Sequence, residues 1–93
     1  LNMGLHVGDD PSAVRENRAR VAAHFGQTRN RMVCAAQVHG GAVAVVGDAD
    51  AGRGATDFSD ALPGVDALVT DTPNLLLALF FADCVPVFFV VPV

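Results

Sequence analysis

The stretch LLLALFFADCVPVFFVVPV, residues Leu75–Val93, decides the fold of this chain. Among its residues only Asp83 is charged, and it lies near the centre beside Cys84. Continuous apolar runs are typical of elements that are covered on all sides. An acid and a thiol in the middle of such a run would be buried reactive groups. The rest of the chain is therefore interpreted as what covers this stretch and what meets Asp83 and Cys84.

Two structures suit such a run: a membrane-spanning helix and a pair of buried strands. The length is close to the roughly 20 apolar residues that span a bilayer. However, Asp83 at the centre of a membrane helix would cost about 2.5–3.5 kcal/mol, and Pro86 and Pro92 would interrupt the helix. The Val and Phe content favours strands. We predict strands at Leu75–Ala82 and Val85–Val91, buried on both faces.

The size and composition predict part of a larger domain. A chain of 93 residues forms at most one domain, yet 52% of these residues are hydrophobic. The chain begins at Leu1 and ends at Val93 inside an apolar run. We therefore expect residues 1–93 to be a partial domain, truncated at both ends. Its exposed strand edges would allow self-association.

The charge pattern excludes some classes of partner. The net charge is −4, with six Arg, no Lys and no basic cluster, whereas nucleic-acid-binding domains carry a basic patch. Two cysteines without regular spacing do not form a disulfide framework. We expect a cytoplasmic protein with neither a nucleic-acid nor a membrane partner.

The first half of the chain carries clear helix signals. Asp10 suits an N-cap and Pro11 the first helical position, and Gly26 suits the residue that ends a helix. We predict a helix from Pro11 to about Phe25. Its apolar stripe would consist of Val14, Val21, Ala22 and Phe25.

Arg18 lies beside this stripe, where a charged side chain needs a partner. The first interpretation is a side chain that extends to the surface and pairs with an acid there. The second is a contact with an anion in a pocket. The first is favoured on general grounds, because long cations usually keep their charged end in water.

The middle of the chain predicts short strands. Arg31–Val38 and Ala42–Val46 are rich in strand-forming residues, and His39-Gly40-Gly41 between them is typical of a hairpin turn. Asp48–Gly64 is predicted to be a polar loop, and Asp66–Asp71 a short strand. One helix followed by about five strands predicts the α+β class.

Four residues in apolar context could carry chemistry: Cys34, His39, Asp83 and Cys84. Imidazole and thiolate are the usual zinc ligands, and they also form nucleophile–base pairs in hydrolases. Side chains alternate faces along a strand, so Cys34 and His39 would face opposite ways. Cys34 is thus predicted to be a core thiol. Asp83 would either hydrogen-bond the residues that form the site or accept hydrogen bonds from turn amides.

Several motifs in order resemble one family. They are Leu5–Pro11 (LHVGDDP), Asn17-Arg18, Gln37–Gly40 (QVHG), Asp66–Thr70 (DALVT) and Ala82–Val87 (ADCVPV). Together they resemble the laccase-domain family of purine nucleoside phosphorylases, also described as multicopper polyphenol oxidases or peptidoglycan editing factors. The resemblance covers essentially the whole chain. It implies an α+β fold with mixed β-sheets flanked by helices.

The resemblance also implies a metal site and an activity. His39 and Cys84 would be zinc ligands and catalytic residues, with a third ligand, a histidine, beyond Val93. The implied reaction is zinc-dependent phosphorolysis of adenosine, inosine or methylthioadenosine, with adenosine deamination as a second activity. The partners would be a purine nucleoside and phosphate. Asn2, Arg18 and Asp83 are candidates for substrate contacts, and His6 is a local substitute ligand.

Three alternatives remain open at this point. One is a Cys–His hydrolase with Cys84 as nucleophile and His39 as base. Another is laccase-type oxidation of phenols, with copper as the metal instead of zinc. The last is an inactive truncated fragment or binding module.

Overall fold

The computed structural model describes residues 3–5, 10–81 and 86–88. Within them the chain forms one α-helix and five short strands, which confirms the α+β class. The elements are α1 (Pro11–His24), β1 (Met32–Ala36), β2 (Val43–Val45), β3 (Leu62–Pro63), β4 (Ala67–Val69) and β5 (Leu76–Ala78). Single 3₁₀ turns occupy Arg29–Arg31, Asp48–Asp50 and Phe58–Asp60.

Local signals explain both ends of α1. The carboxylate of Asp10 accepts a hydrogen bond from the N–H of Ser12 at 3.0 Å, and Pro11 begins the helix. At the other end Gly26 adopts a φ of +71°, a left-handed conformation that favours glycine. The predicted helix and its cap are confirmed.

The predicted apolar stripe of α1 is only partly right. Val14 and Ala22 are fully buried and Val21 is half-buried, but Phe25 is 61% exposed. The helix ends at His24, and the Phe25 N–H closes the last turn on the carbonyl of Ala22. Phe25 therefore stands past the periodic part of the helix, and its burial was wrongly predicted.

The strands form two sheets in which every pairing between described strands is parallel. The larger sheet has the order β3-β1-β5, and the smaller one consists of β2 and β4. Consecutive strands β1 and β2 thus belong to different sheets, so the predicted hairpin at His39–Gly41 is wrong. The amides of this loop donate hydrogen bonds to the side chain of Asp66, the residue before β4, and do not take part in pairing between β1 and β2.

The larger sheet is covered on both faces, but the central stretch is less buried than predicted: residues 75–80 are half-buried, and Phe81, Val87 and Phe88 are exposed. On one face Met32 and Cys34 pack with Ala22 of α1 and Ala55. On the other face Val33 and Ala35 pack with Val46 and Leu62. Residues of β5 and its flanks alternate between the two clusters: Leu76, Ala78 and Phe80 join the first, and Leu75, Leu77 and Leu79 the second.

The second sheet packs beneath the first but leaves its outer face open. Ala44 and Leu68 point into the core. Val43, Val45 and Val69 are at least half exposed. The described residues therefore form three layers: α1, the larger sheet and the smaller sheet, with the larger sheet in the middle.

The central stretch is shorter as a strand than the sequence predicted. The first predicted strand, Leu75–Ala82, is ordered as a strand only at Leu76–Ala78. Most of the second, Val85–Val91, lies outside the described residues, and residues 86–88 are not in a strand. In the part of the chain that the structure describes, no helix has the length and apolar character needed to cross a bilayer.

Candidate active site

The loop that follows β1 holds His39 in an unusual backbone conformation. His39 has a φ of +60°, in the left-handed region that non-glycine residues seldom adopt. Its neighbours Val38 and Gly40 are exposed, as His39 is. Conformations of this kind persist when the surrounding structure over-determines them, so the loop must be held from outside.

Asp66, the residue before β4, holds this loop. Its Oδ1 accepts hydrogen bonds from the N–H groups of Val38 and His39 at 2.9 and 2.8 Å. Its Oδ2 accepts one from Gly40 at 2.8 Å. The Asp66 N–H in turn donates to the carbonyl of Ala42 at 3.1 Å. One carboxylate therefore binds three consecutive amides and ties the loop to the start of β4.

The three amides also change the acidity of Asp66. The hydrogen bond from Gly40 lowers the pKa of this carboxyl most, and those from His39 and Val38 add to the effect. Partial desolvation acts in the opposite direction but is weaker. The amides stabilise the charged form because they donate to it, so Asp66 is a carboxylate at neutral pH.

Gln37, at the start of the same loop, connects it to the chain that leads to Asp83 and Cys84. Its side-chain amide donates to the carbonyl of Phe80 at 3.1 Å and accepts from the Phe80 N–H at 2.9 Å. The side chain thus continues the pairing of β1 with β5 past the end of both strands. The loop of His39 and the segment before residue 82 therefore lie side by side.

Arg18 is buried, which corrects the prediction of a surface ion pair. Its side chain is 2% exposed. Nε donates to the carbonyl of Met3 at 2.8 Å, and Nη1 donates to the carbonyls of Gly54 and, at 3.0 Å, Ala55. Backbone carbonyls, rather than a surface acid, satisfy this cation because two segments of the chain, at Met3 and at Gly54-Ala55, converge on it. Among the ion pairs of the described residues, none involves Arg18.

Phe80 joins Arg18 to the loop of His39. The guanidinium carbon of Arg18 lies 4.7 Å from the centroid of the Phe80 ring, a cation–π contact. Since Gln37 holds the backbone of the same Phe80, a continuous set of contacts runs from Arg18 to Gln37. Burial lowers the pKa of Arg18 from its ordinary value, but arginine remains charged in proteins.

Cys34 is a core thiol, as predicted. It is 2% exposed, and its sulfur accepts a contact from Nη1 of Arg18 at 3.7 Å. Burial raises the pKa of this thiol to about 11, although the Arg18 charge acts against the rise. A thiol of this kind is protonated at neutral pH and unreactive. Cys34 is therefore not part of a nucleophile pair with His39.

Some of the site residues predicted from the sequence lie among the described residues, and others lie outside them. His39 and Arg18 are described; Asn2, His6, Asp83 and Cys84 lie outside the described residues. Within residues 3–5, 10–81 and 86–88, no three His, Cys, Asp or Glu side chains form a group that could hold a metal. His39 supplies an exposed imidazole on a fixed loop, which is a suitable zinc ligand.

Sequence reasoning missed two contacts of the site. The first is the role of Asp66, which was interpreted as the beginning of a strand and of a family motif, without a contact to the loop of His39. A charged residue at the head of an otherwise apolar strand, DALV, was the available signal. The second is the hydrogen-bonding of Gln37 to Phe80, which depends on the parallel pairing of β1 with β5 and has no local signal.

The motifs and the fold both point to a known family. The family described as multi-copper polyphenol oxidoreductase laccase matches residues 1–93. The chain belongs to this family. The resemblance inferred from the motifs around His39 and Cys84 is therefore confirmed.

Other members of this laccase family are named for a different activity. The chain is 54% identical over 92 residues to purine nucleoside phosphorylase YlmD of Geobacillus stearothermophilus, and 43% identical over 93 residues to YlmD of Bacillus subtilis. It is 52% identical over 87 residues to a purine nucleoside phosphorylase of Mycobacterium bovis. These matches cover 94–100% of the chain. The chain spans about one third of the length of these relatives, 32–34%.

Solved structures of the family share the fold. The crystal structure of YlmD from Geobacillus stearothermophilus matches with a TM-score of 0.87 and 53% identity. That of Bacillus licheniformis hypothetical protein YfiH matches with the same TM-score and 43% identity. Each match covers 89% of this chain and 31% of the other.

Proposed function

We propose that the protein containing this chain is a zinc-dependent purine nucleoside phosphorylase. Its substrates would be adenosine, inosine or methylthioadenosine together with phosphate, and adenosine deamination would be a second activity. The relatives named purine nucleoside phosphorylase support the reaction class. The observation that carries the assignment of the site is the double hydrogen bond between Gln37 and Phe80, which brings the loop of His39 beside the segment leading to Cys84.

His39 and Cys84 would hold the zinc ion, with a third ligand from outside the 93 residues. An imidazole and a thiolate form a donor set that zinc prefers, and three protein ligands leave one position open. When bound, zinc supplies a local positive charge and lowers the pKa of water toward about 7. Asp66 and Gln37 contribute by keeping the imidazole and the neighbouring segment in place.

Phosphorolysis requires a second region that binds an anion. In this reaction a phosphate oxygen forms a bond to C1′ of the ribose, and the bond from C1′ to the purine nitrogen breaks. The purine leaves with the bonding electrons and takes up a proton. Arg18 carries a buried positive charge whose described partners are backbone carbonyls, a protonated thiol and an aromatic ring, all of them neutral, so it would favour a nearby anion. Asn2 and Asp83 would supply further polar contacts to the substrate.

The decisive experiment measures phosphate-dependent release of purine base by the full-length, zinc-loaded protein. Adenosine, inosine and methylthioadenosine are supplied separately, and the released purine bases and sugar 1-phosphates are separated by chromatography. We expect release only with phosphate, and a loss of at least 100-fold in His39→Ala and Cys84→Ser. If the zinc-loaded protein releases no purine base from any of the three nucleosides, the proposal is refuted. Release that is unchanged in both variants would show that the site is elsewhere.

Copper-dependent oxidation of phenols is a second candidate, because the family is described as multi-copper polyphenol oxidoreductase laccase. Reconstitution with each metal separates the two. Oxidation of a phenol that needs copper and survives removal of zinc would support the laccase reaction. Phosphorolysis that needs zinc and is not supported by copper would support the phosphorylase.

A Cys–His hydrolase would instead be alkylated at Cys84 at the same rate with and without zinc.

A further inference from the structure

The three amides that Asp66 binds are exposed to solvent. Val38, His39 and Gly40 are exposed, whereas Asp66 itself is half-buried. Water could replace these hydrogen bonds only in part, because a hydrogen bond to a charged group adds about 1.5–3 kcal/mol to stability. The carboxylate therefore stabilises the loop. What water cannot provide is a single fixed acceptor for three consecutive N–H groups.

A fixed acceptor determines the direction of the His39 side chain. Successive N–H groups around a left-handed residue form a concave anion-binding arrangement. Here the bound anion is the Asp66 carboxylate, with all three distances between 2.8 and 2.9 Å. Because the carboxylate holds the amides of His39 and of both its neighbours while His39 has a φ of +60°, it restrains the bond from Cα to Cβ, and with it the region that the imidazole can reach.

We propose that Asp66 is a positioning residue that holds the imidazole of His39 ready to bind the metal ion. This inference rests on the proposed function, in which His39 is a zinc ligand. Asp66 acts through the backbone of His39 and does not touch the metal. Side chains that orient a ligand in this way typically change metal affinity by about 10–100-fold when they are removed.

The test uses the full-length protein and the variants Asp66→Ala and Asp66→Asn. We expect zinc affinity, measured by competition with a chromophoric chelator, to fall about 10–100-fold in Asp66→Ala. Asp66→Asn keeps one acceptor oxygen and should lie between Asp66→Ala and the unaltered protein. The spectrum of bound Co²⁺ should weaken in the same order. Amide hydrogen exchange at residues 38–40 should accelerate in Asp66→Ala, with or without metal.

Two controls separate positioning from general destabilisation. Asp71→Asn makes the same chemical change at an exposed position beyond the other end of β4 and should leave zinc affinity unaltered. Val14→Ala removes buried volume from α1 and should lower the free energy of unfolding without affecting zinc affinity. If Val14→Ala and Asp66→Ala weakened zinc binding in proportion to their lost stability, the inference would be refuted.

The outcomes also distinguish this inference from the proposed function. If His39→Ala abolishes tight zinc binding and Asp66→Ala leaves it unchanged, the positioning role is wrong and the zinc site stands. If His39→Ala binds zinc as tightly as the unaltered protein, the proposed site fails, and the role of Asp66 fails with it.

Discussion

The side-chain amide of Gln37 hydrogen-bonds both backbone groups of Phe80, at 2.9 and 3.1 Å. The amide imitates a strand residue, since a peptide group presents the same donor and acceptor to a neighbouring strand. It extends the pairing of β1 with β5 where the main chain of β1 has already turned toward His39. The side chain of Gln37 therefore takes over the last step of pairing with β5, so that the backbone after β1 can turn into the loop of His39.

Replacing Gln37 tests this double contact. Gln37→Glu keeps an acceptor for the Phe80 N–H but loses the donor and places negative charge beside the Phe80 carbonyl. We expect the free energy of unfolding to fall by about 1–3 kcal/mol, measured by urea denaturation. Gln27→Glu is the matched control, because Gln27 lies in the turn after α1, and it should change stability by no more than about 0.5 kcal/mol. Equal effects of the two substitutions would contradict the role of Gln37.

Gly54 is required by both its backbone and its surroundings. It has a φ of +73°, and a Cβ added there would lie 2.9 Å from the Cβ atoms of Ala61 and Cys34. Gly54→Ala should lower the free energy of unfolding by about 2–5 kcal/mol, combining overpacking with a left-handed alanine. Gly64→Ala has a similar φ of +67° but meets no atom within 4 Å, so it should lose only about 1–2 kcal/mol. Urea denaturation of both variants makes the comparison. A smaller loss for Gly54→Ala than for Gly64→Ala would refute it.

The left-handed backbone of His39 predicts a difference between two substitutions. A left-handed conformation costs a non-glycine residue about 1–2 kcal/mol, and glycine avoids this cost. Glycine also has more conformational entropy in the unfolded state, which offsets part of the stabilisation. His39→Gly should therefore be more stable to urea than His39→Ala by roughly 0.5–1 kcal/mol. Both should bind zinc equally poorly, because both lack the imidazole.

Asn74 provides the control for His39, since it has a φ of +59°. Asn74→Gly should exceed Asn74→Ala in stability by a similar amount, whereas zinc affinity should be unaffected by either. If His39→Ala were as stable as His39→Gly, the conformation of the loop would not be strained.

The buried thiol of Cys34 predicts a loss of stability at high pH. Its pKa is raised from 9.0 to about 11 in the folded chain. The unfolded thiol releases its proton first, so the contribution is complete below pH 9 and is lost as the pH rises to 11. The loss should amount to about 2–3 kcal/mol, because each pKa unit corresponds to roughly 1.4 kcal/mol.

This pH range is favourable for the measurement. The sequence contains no Lys and no Tyr, so few other groups titrate between pH 9 and 11. Urea denaturation at several pH values, in a Cys84→Ser background, should show the decline, and Cys34→Ala should remove it. An identical decline in both proteins would show that another group is responsible.

The sequence predicted well those features that depend on residues close together along the chain. Asp10, Pro11 and Gly26 define the ends of α1 because capping involves residues within one helical turn. The continuous apolar run predicted a strand covered on both faces, and Leu75–Phe80 contribute to both core clusters, although they are only half-buried and Val87 and Phe88 are exposed. Several motifs in order, among them those around His39 and Cys84, predicted the family from residue types alone.

What the sequence did not reveal depends on contacts distant along the chain. Gly40-Gly41 allows a tight turn but does not determine which strands pair, and β1 pairs with β3 and β5 instead of β2. Arg18 was correctly identified as needing a partner, yet its partners are carbonyls at positions 3, 54 and 55. No local pattern identifies a carbonyl as an acceptor, because every residue has one.

The parallel arrangement of β1 and β5 has a consequence for how the chain is made. Met32 pairs with Leu76, 44 positions later, and contacts between such distant residues form slowly because a long loop must close first. At ribosomal speeds of roughly 5–20 residues per second, β1 emerges about 2–9 s before its partner. During that interval the apolar residues Met32 and Val33 have no strand β5 to cover them. The nascent chain therefore exposes an unpaired apolar strand for several seconds, and such strands are prone to aggregation.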